Sequence, residues 1–183
     1  MYWNDFEHNG NIYSFGHLNP RVVSVTRPAT EEFPEKTVRF FLSYVDHCFT
    51  KHFADNNDES LLYEDSERYF CKERYDCSFH LPQLVPALIE RNIMLALTIF
   101  ERRESFFYLE EFYMNTDYRL FFDISKSNHP ASDIRLKVKS AYPPDDWAKP
   151  VSVAGHFNFW RVVDARLSGE KLALRSQQRR RRR

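Results

Sequence analysis

Glycine is scarce in this chain, four residues in 183. A loop that wraps backbone N–H groups around a phosphate needs several. Neither G-x-G-x-x-G nor G-x-x-x-x-G-K-[ST] occurs, which sets aside nucleotide-binding enzymes of those types. Cysteine is limited to three, an odd number. The first residues, Met-Tyr-Trp-Asn-Asp-Phe-Glu-His, hold no apolar signal-peptide core. No apolar run is long enough to span a membrane. Together these absences predict a protein of the reducing cytoplasm, without membrane contact, whose thiols are free or metal-bound.

Net charge is also missing, since 26 basic side chains balance 26 acidic ones. The balance hides an asymmetry. Six arginines and no acid fall in the last nine residues, Arg175–Arg183, so residues 1–174 carry 20 basic against 26 acidic groups. A mildly acidic body is thus followed by a strongly basic tail. Residues 1–174 are expected to form a single globular domain and 175–183 a disordered basic tail. Such a tail attracts RNA or another polyanion, non-specifically and in a salt-sensitive way.

What the chain has in quantity is aromatic residues, 16% of the total, led by 17 Phe and 10 Tyr, a composition that favours strands. Arg21–Thr26 reads as a short strand and Val38–Val45 as a longer one, with Val38, Phe40, Leu42 and Tyr44 on one face. Ala54–Glu67 reads as an acidic surface loop. Leu81–Arg91 is the clearest helix, with Leu81, Leu84, Val85, Leu88 and Ile89 at helical spacing, Pro82 in the first turn and Asn92 to close it. Five strand-like runs follow: Ile93–Phe100, Ser105–Phe112, Tyr118–Ser125, Ile134–Tyr142 and Val153–Leu167. In the fourth, Ile134, Leu136, Val138 and Ser140 alternate with Arg135, Lys137 and Lys139, so one face is wet. In the last, Phe157 and Phe159 share a face opposite Trp160. Short connections favour antiparallel neighbours. The fold class predicted is α+β, an antiparallel sheet of five to seven strands with a helix packed on one face.

Several short pieces, Tyr13-Ser14-Phe15-Gly16-His17-Leu18-Asn19-Pro20, His47-Cys48-Phe49-Thr50, Arg68-Tyr69-Phe70-Cys71, Phe121-Phe122-Asp123 and Val138-Lys139-Ser140-Ala141-Tyr142 among them, resemble an uncharacterised family of bacterial proteins found with phages and mobile elements. No activity is carried over from that resemblance. The layout, a helix followed by antiparallel strands with a late strand ending Ser-Ala-Tyr, is similar to the barnase/RelE-like ribonuclease superfamily. That likeness implies RNA cleavage without metal by scattered His, Arg, Ser, Thr and Tyr side chains, and transfers no residue role.

Chemistry-bearing residues are densest over Asp46–Pro82, which holds every cysteine and three of seven histidines. RNA cleavage needs a base for the 2′-hydroxyl, an acid for the leaving oxygen and cations on the phosphate. His47, at the end of a strand, and His80, just ahead of the helix, are the candidate base and acid. Arg68 and Arg74 are candidate phosphate holders, and Tyr142 with Ser140 adds hydrogen bonds. The competing reading pairs Arg68 and Arg74 with nearby acids on the surface. An alternative zinc set is Cys48, His52, Cys71, Cys77 and His80, at untidy spacing; otherwise the protein is expected to need no cofactor. Cys48, flanked by His47 and His52, raises thiol catalysis as a third possibility. The function predicted is an RNA-acting protein, a metal-independent endoribonuclease of toxin or phage-defence type with an inhibitory protein partner. Its rival is a non-enzymatic protein-interaction module with a structural zinc.

Overall fold

A computed structural model describes residues 2–54, 57–64, 67–98, 106–113, 116–144 and 150–172. The expected basic tail, Arg175–Arg183, and Phe100 of one expected strand lie outside the described residues. A small hairpin opens the fold, β1 (Phe6–His8) and β2 (Asn11–Tyr13). Its turn is Asn9-Gly10, both at positive φ (49° and 73°), the backbone shape that matches the twist of the flanking strands. Next come β3 (Arg21–Arg27), β4 (Lys36–Tyr44), the short β5 (Thr50–Lys51) and β6 (Tyr69–Phe70), α1 (Lys72–Ser78) and α2 (Leu81–Glu90). Four strands follow, β7 (Met94–Thr98), β8 (Phe107–Tyr113), β9 (Thr116–Lys126) and β10 (Ile134–Tyr142), then β11 (Val153–Asn158) and α3 (Phe159–Ser168).

The main sheet has seven strands in the order β11-β7-β8-β9-β10-β4-β3. Five of its pairings are antiparallel, as expected, but β10 runs parallel to β4, with Ile134 opposite Phe40 and Val138 opposite Tyr44. The sheet is therefore mixed. Antiparallel order follows from short connections, but the connection from β4 to β10 contains half the fold and imposes no such direction.

One face of the sheet carries the core. Val38, Phe40 and Leu42 of β4, Ile134, Leu136 and Val138 of β10, and Leu120, Phe122 and Ile124 of β9 are all buried there. They share one core with Leu81, Leu84, Val85, Leu88 and Ile89 of α2 and with Phe159, Trp160, Val162 and Val163 near the C-terminal end of the fold, at about 1.5–3 kcal/mol for each large side chain removed from water. α2 contains a second proline, Pro86. A proline lacks the N–H that would bond the carbonyl four residues back, which is that of Pro82. Arg21 of β3 fills the gap by donating to the Pro82 carbonyl, so the helix is tied to the sheet at its weakest point. Asn92, at φ 48°, closes the helix.

The expected long strand Val153–Leu167 ends at Asn158, and the chain then forms α3. Phe159 and Trp160 do not point to opposite faces; both are buried, with Val162, Val163 and Ala165 on the same helical side. The start of α3 is capped by the residues that lead into the neighbouring strand β7: Phe159 N–H donates to Ile93 O at 2.9 Å and Trp160 N–H to Asn92 Oδ1 at 3.1 Å. Asp164 then pins the helix to Arg27 and Lys36, each at 2.8 Å. These long-range caps and ion pairs are invisible to local periodicity.

The other face holds a small aromatic cluster, Ala96, Tyr108 and Phe121, with Phe106, Tyr142 and Val151 packed against it. Tyr142 reaches this face through a bulge. Val138 opposes Phe122 and Ser140 opposes Phe121, so Lys139 is an extra residue. Strict alternation puts Ser140 with Val138 on the core side; the bulge instead turns Ala141 inward and sends Ser140 and Tyr142 outward. No helix among the described residues is long and apolar enough to cross a membrane.

Candidate functional site

β4 runs parallel to β10 and ends opposite Val138, four residues before β10 ends at Tyr142. Val45 N–H still donates to Val138 O at 3.1 Å, after which the chain folds into a single 3-10 turn, Asp46–Cys48. The carboxyl ends of parallel strands are where open sheets place ligands. Here that position holds Asp46 and His47. Asp46 Oδ1 accepts the His47 backbone N–H at 3.0 Å, and the Asp46 carbonyl accepts the Thr50 hydroxyl at 2.9 Å.

Two guanidinium groups close around Thr50. Arg68, in the segment leading into β6, donates from Nε to Thr50 Oγ1 (2.8 Å) and from Nη2 to the Thr50 carbonyl (3.2 Å). Its Nη1 lies 3.2 and 3.4 Å from the two ring nitrogens of His52. Its Nε is 4.0 Å from Asp46 Oδ2. Arg74, on α1, donates from Nη1 to the same Thr50 carbonyl at 2.8 Å and to the His47 carbonyl at 3.3 Å. The Arg74 guanidinium also sits over the Tyr142 ring, 4.4 Å from its centroid. The structure therefore brings together His47, Arg68, Arg74 and Tyr142 of the expected set, and adds Asp46, Thr50 and His52.

Arg68 is only 9% exposed, which distinguishes it from a surface ion-pair residue. It positions the turn and His52 through its hydrogen bonds. Lys72, not Arg74, takes Asp76, at 2.6 Å. His80 stands at the junction of α1 and α2, where its carbonyl accepts the N–H groups of Gln83 and Leu84. Among the described residues, the hydrogen bonds from Arg68 and Arg74 that draw the cluster together end on Thr50, His47 and His52. Ser140 faces the same side as Tyr142, opposite Phe121.

The field at the site is positive, and His47 feels it. Burial, then the Arg68 charge, pulls its pKa down to about 4; His52 and Arg74 act in the same sense and Asp46 against. The imidazole is neutral at pH 7 and its side chain is 44% exposed, so an incoming group can reach it. Cys48 is the opposite case. It is fully buried, and burial pushes its thiol up to about 12, which removes it as a nucleophile at neutral pH. Burial raises Cys77 as well. All three cysteines are free thiols. Among the described residues no three His, Cys, Asp or Glu side chains converge as metal ligands, the set Cys48, His52, Cys71, Cys77 and His80 included.

Asp46 and Thr50 were open to a sequence reading only as an acid and a hydroxyl four residues apart. Nothing local says that Thr50 is the point on which two arginines, 18 and 24 residues downstream, converge.

The comparisons with known proteins agree over nearly the whole of this fold. The chain is 28% identical over 158 residues to Protein YjaZ of Escherichia coli (strain K12), a match that covers 82% of this chain and 85% of that one. No solved structure matches it. The model of the YjaZ family matches residues 5–167, from the first strand to the last helix and through every residue of the site, and the chain belongs to that family.

Proposed function

We propose that this protein acts on RNA in the bacterial cytoplasm as a metal-independent endoribonuclease of the toxin or phage-defence kind. The observation that carries the reading is the convergence of a neutral, half-exposed His47 with His52, Arg68 and Arg74 around Thr50, at the carboxyl ends of β4 and β10. A phosphodiester entering this positive field is stabilised as charge develops on its oxygens. Its own negative charge offsets the two guanidinium groups that depress His47, so binding raises the imidazole toward the pKa of an effective base. His47 then takes the proton of the attacking 2′-hydroxyl. That proton passes from the His47 imidazolium to the departing 5′-oxygen, and His52, whose ring centroid is 6.4 Å from that of His47, replaces His80 as the second imidazole of the site. Arg74, braced on Tyr142, supplies positive charge at the phosphate, and Arg68 holds His52 and Thr50 in place.

The test is cleavage of an end-labelled single-stranded RNA by purified protein in the presence of EDTA. His47→Ala is expected to lower the rate by about 100-fold or more while the variant stays folded, and His80→Ala to leave it within a few-fold. A folded His47→Ala that cuts like the wild type sinks the assignment. Wild-type protein that binds RNA without cutting it points to the interaction module instead.

A further inference from the structure

The outward face of β10 carries three cations in a row, Arg135, Lys137 and Lys139, and their setting is unusual for this molecule. Six other basic side chains are neutralised: Arg27, Lys36, Arg39, Lys72, Arg91 and Arg119 each lie 2.6 to 2.9 Å from a carboxylate. Arg135, Lys137 and Lys139 make no hydrogen bond or ion pair among the described residues. Lys139, the bulge residue, rests its ammonium 5.5 Å from the Phe106 ring centroid. Lys137 lies across the strand pair from Asp123, yet burial and the charges of Lys139 and Arg135 still hold its pKa below the ordinary lysine value. Like charges crowded on one strand repel one another, and Asp123 and Asp46 offset that repulsion only in part.

The row borders a cleft of about 490 Å³ whose lining includes Phe41, Ser43, His129, Arg135 and Lys137. Phe41 and His129 are stacked, with centroids 5.2 Å apart and planes at 18°. Ser43, opposite Lys137 in the parallel pair, has a buried hydroxyl with no hydrogen-bond partner among the described residues. At its other end β10 delivers Tyr142 to Arg74, inside the site. Successive outward positions on a strand recur every ~6.6–6.8 Å, a spacing on which an extended anionic chain can be followed from one cation to the next.

We infer that this face of β4 and β10 is a track for single-stranded RNA, which leads the strand into the His47 site. Arg135, Lys137 and Lys139 hold successive phosphates, and one base lies against the Phe41–His129 pair. The inference rests on the reading of the His47 site as an RNA-acting one, and the experiment keeps the two apart.

Affinity for a fluorescent oligouridylate of about 12 nucleotides is measured by anisotropy across a salt series. The wild type is compared with Arg135→Gln/Lys137→Gln/Lys139→Gln and with His47→Ala. The triple variant is expected to bind about tenfold or more weakly, with a log K against log salt slope shallower by about 2, since each lost contact to single-stranded phosphate removes ~0.7. The arginines of the tail are common to every protein and add the same amount to each slope. Melting temperature of the triple variant should match or exceed the wild type, because a repulsive row has been removed. If the triple variant keeps the wild-type slope and affinity, the track is wrong, whatever happens to cleavage. If it loses binding while His47→Ala still cuts, the track stands and the catalytic assignment falls. If polyglutamate displaces the wild type's RNA and the triple variant loses only polyglutamate binding, the row belongs to an acidic protein partner and the RNA track is overturned.

Discussion

Two histidines are held neutral by the fold, for different reasons. His47 is depressed by burial and the Arg68 charge. His17, stacked 3.9 Å from Phe79 and hydrogen-bonded at 2.7 Å to Ser78 Oγ, is depressed by burial alone, against a backbone hydrogen bond at Ser14. Both are brought to about 4 in the folded protein from 6.5 in the unfolded chain. Between those values the unfolded chain binds more protons, so stability rises with pH. The contribution is complete above about pH 6.5 and is lost as the pH falls toward 4. Allowing for solvent screening it is on the order of 1–2 kcal/mol for each histidine. Melting temperature should therefore drop by several degrees between pH 7 and pH 5, and His47→Gln should shrink that drop. The depressed carboxylates Asp58, Asp133 and Asp164 titrate below their ordinary value and act only at lower pH. A flat melting profile from pH 7 to pH 5 would show that the imidazoles are not held neutral.

At the scale of elements, α2 shows how a helix survives an interior proline. The carbonyl of Pro82 has no helical donor because Pro86 has no N–H, and Arg21 supplies one from β3. Arg21→Ala is expected to cost about 1 kcal/mol, the net worth of a partly exposed hydrogen bond. In a Pro86→Ala background, where the helical N–H is restored, the same change should cost much less. Equal losses in both backgrounds, measured by denaturant unfolding, would show that Arg21 acts through something other than the orphan carbonyl. The elements also mark what could be read from the chain alone. Ile134–Tyr142 was bounded correctly, because its apolar residues alternate until the bulge, and α2 was found because its apolar stripe repeats over three turns. α3 was missed, since Phe159-Trp160-Arg161-Val162-Val163 is rich in β-branched and aromatic residues and its capping comes from Asn92 and Ile93, distant in sequence. The bulge at Lys139 was missed for a related reason: nothing in Val138-Lys139-Ser140 announces the two-against-one count that depends on Phe121 and Phe122. Asn9-Gly10 is a hairpin signal legible in the sequence, since both residues accept the positive φ that the turn requires.

At the scale of the whole molecule, the candidate site was half legible. The sequence concentrates His47, Cys48, Arg68 and Arg74 in one segment, but sorting them requires the parallel pair. That pairing buries Cys48 beneath Val138 and sets His47 at the rim. The parallel pair also has a temporal consequence. Phe40 meets Ile134 across 94 residues of chain, whereas β8 meets β9 through a tight hairpin. Loop-closure entropy delays the distant contact relative to the near one. Pulse-labelled hydrogen exchange during refolding should show amides of the β8–β9 hairpin protected before those shared by β4 and β10, and simultaneous protection would contradict that order. On the ribosome the effect is sharper: β3 and β4 emerge early and wait, one edge unsatisfied, until residues 134–142 have been synthesised. Tyr142 is the last residue of that stretch, so Arg74 of a nascent chain waits through most of its synthesis for the ring on which its guanidinium rests in the finished fold.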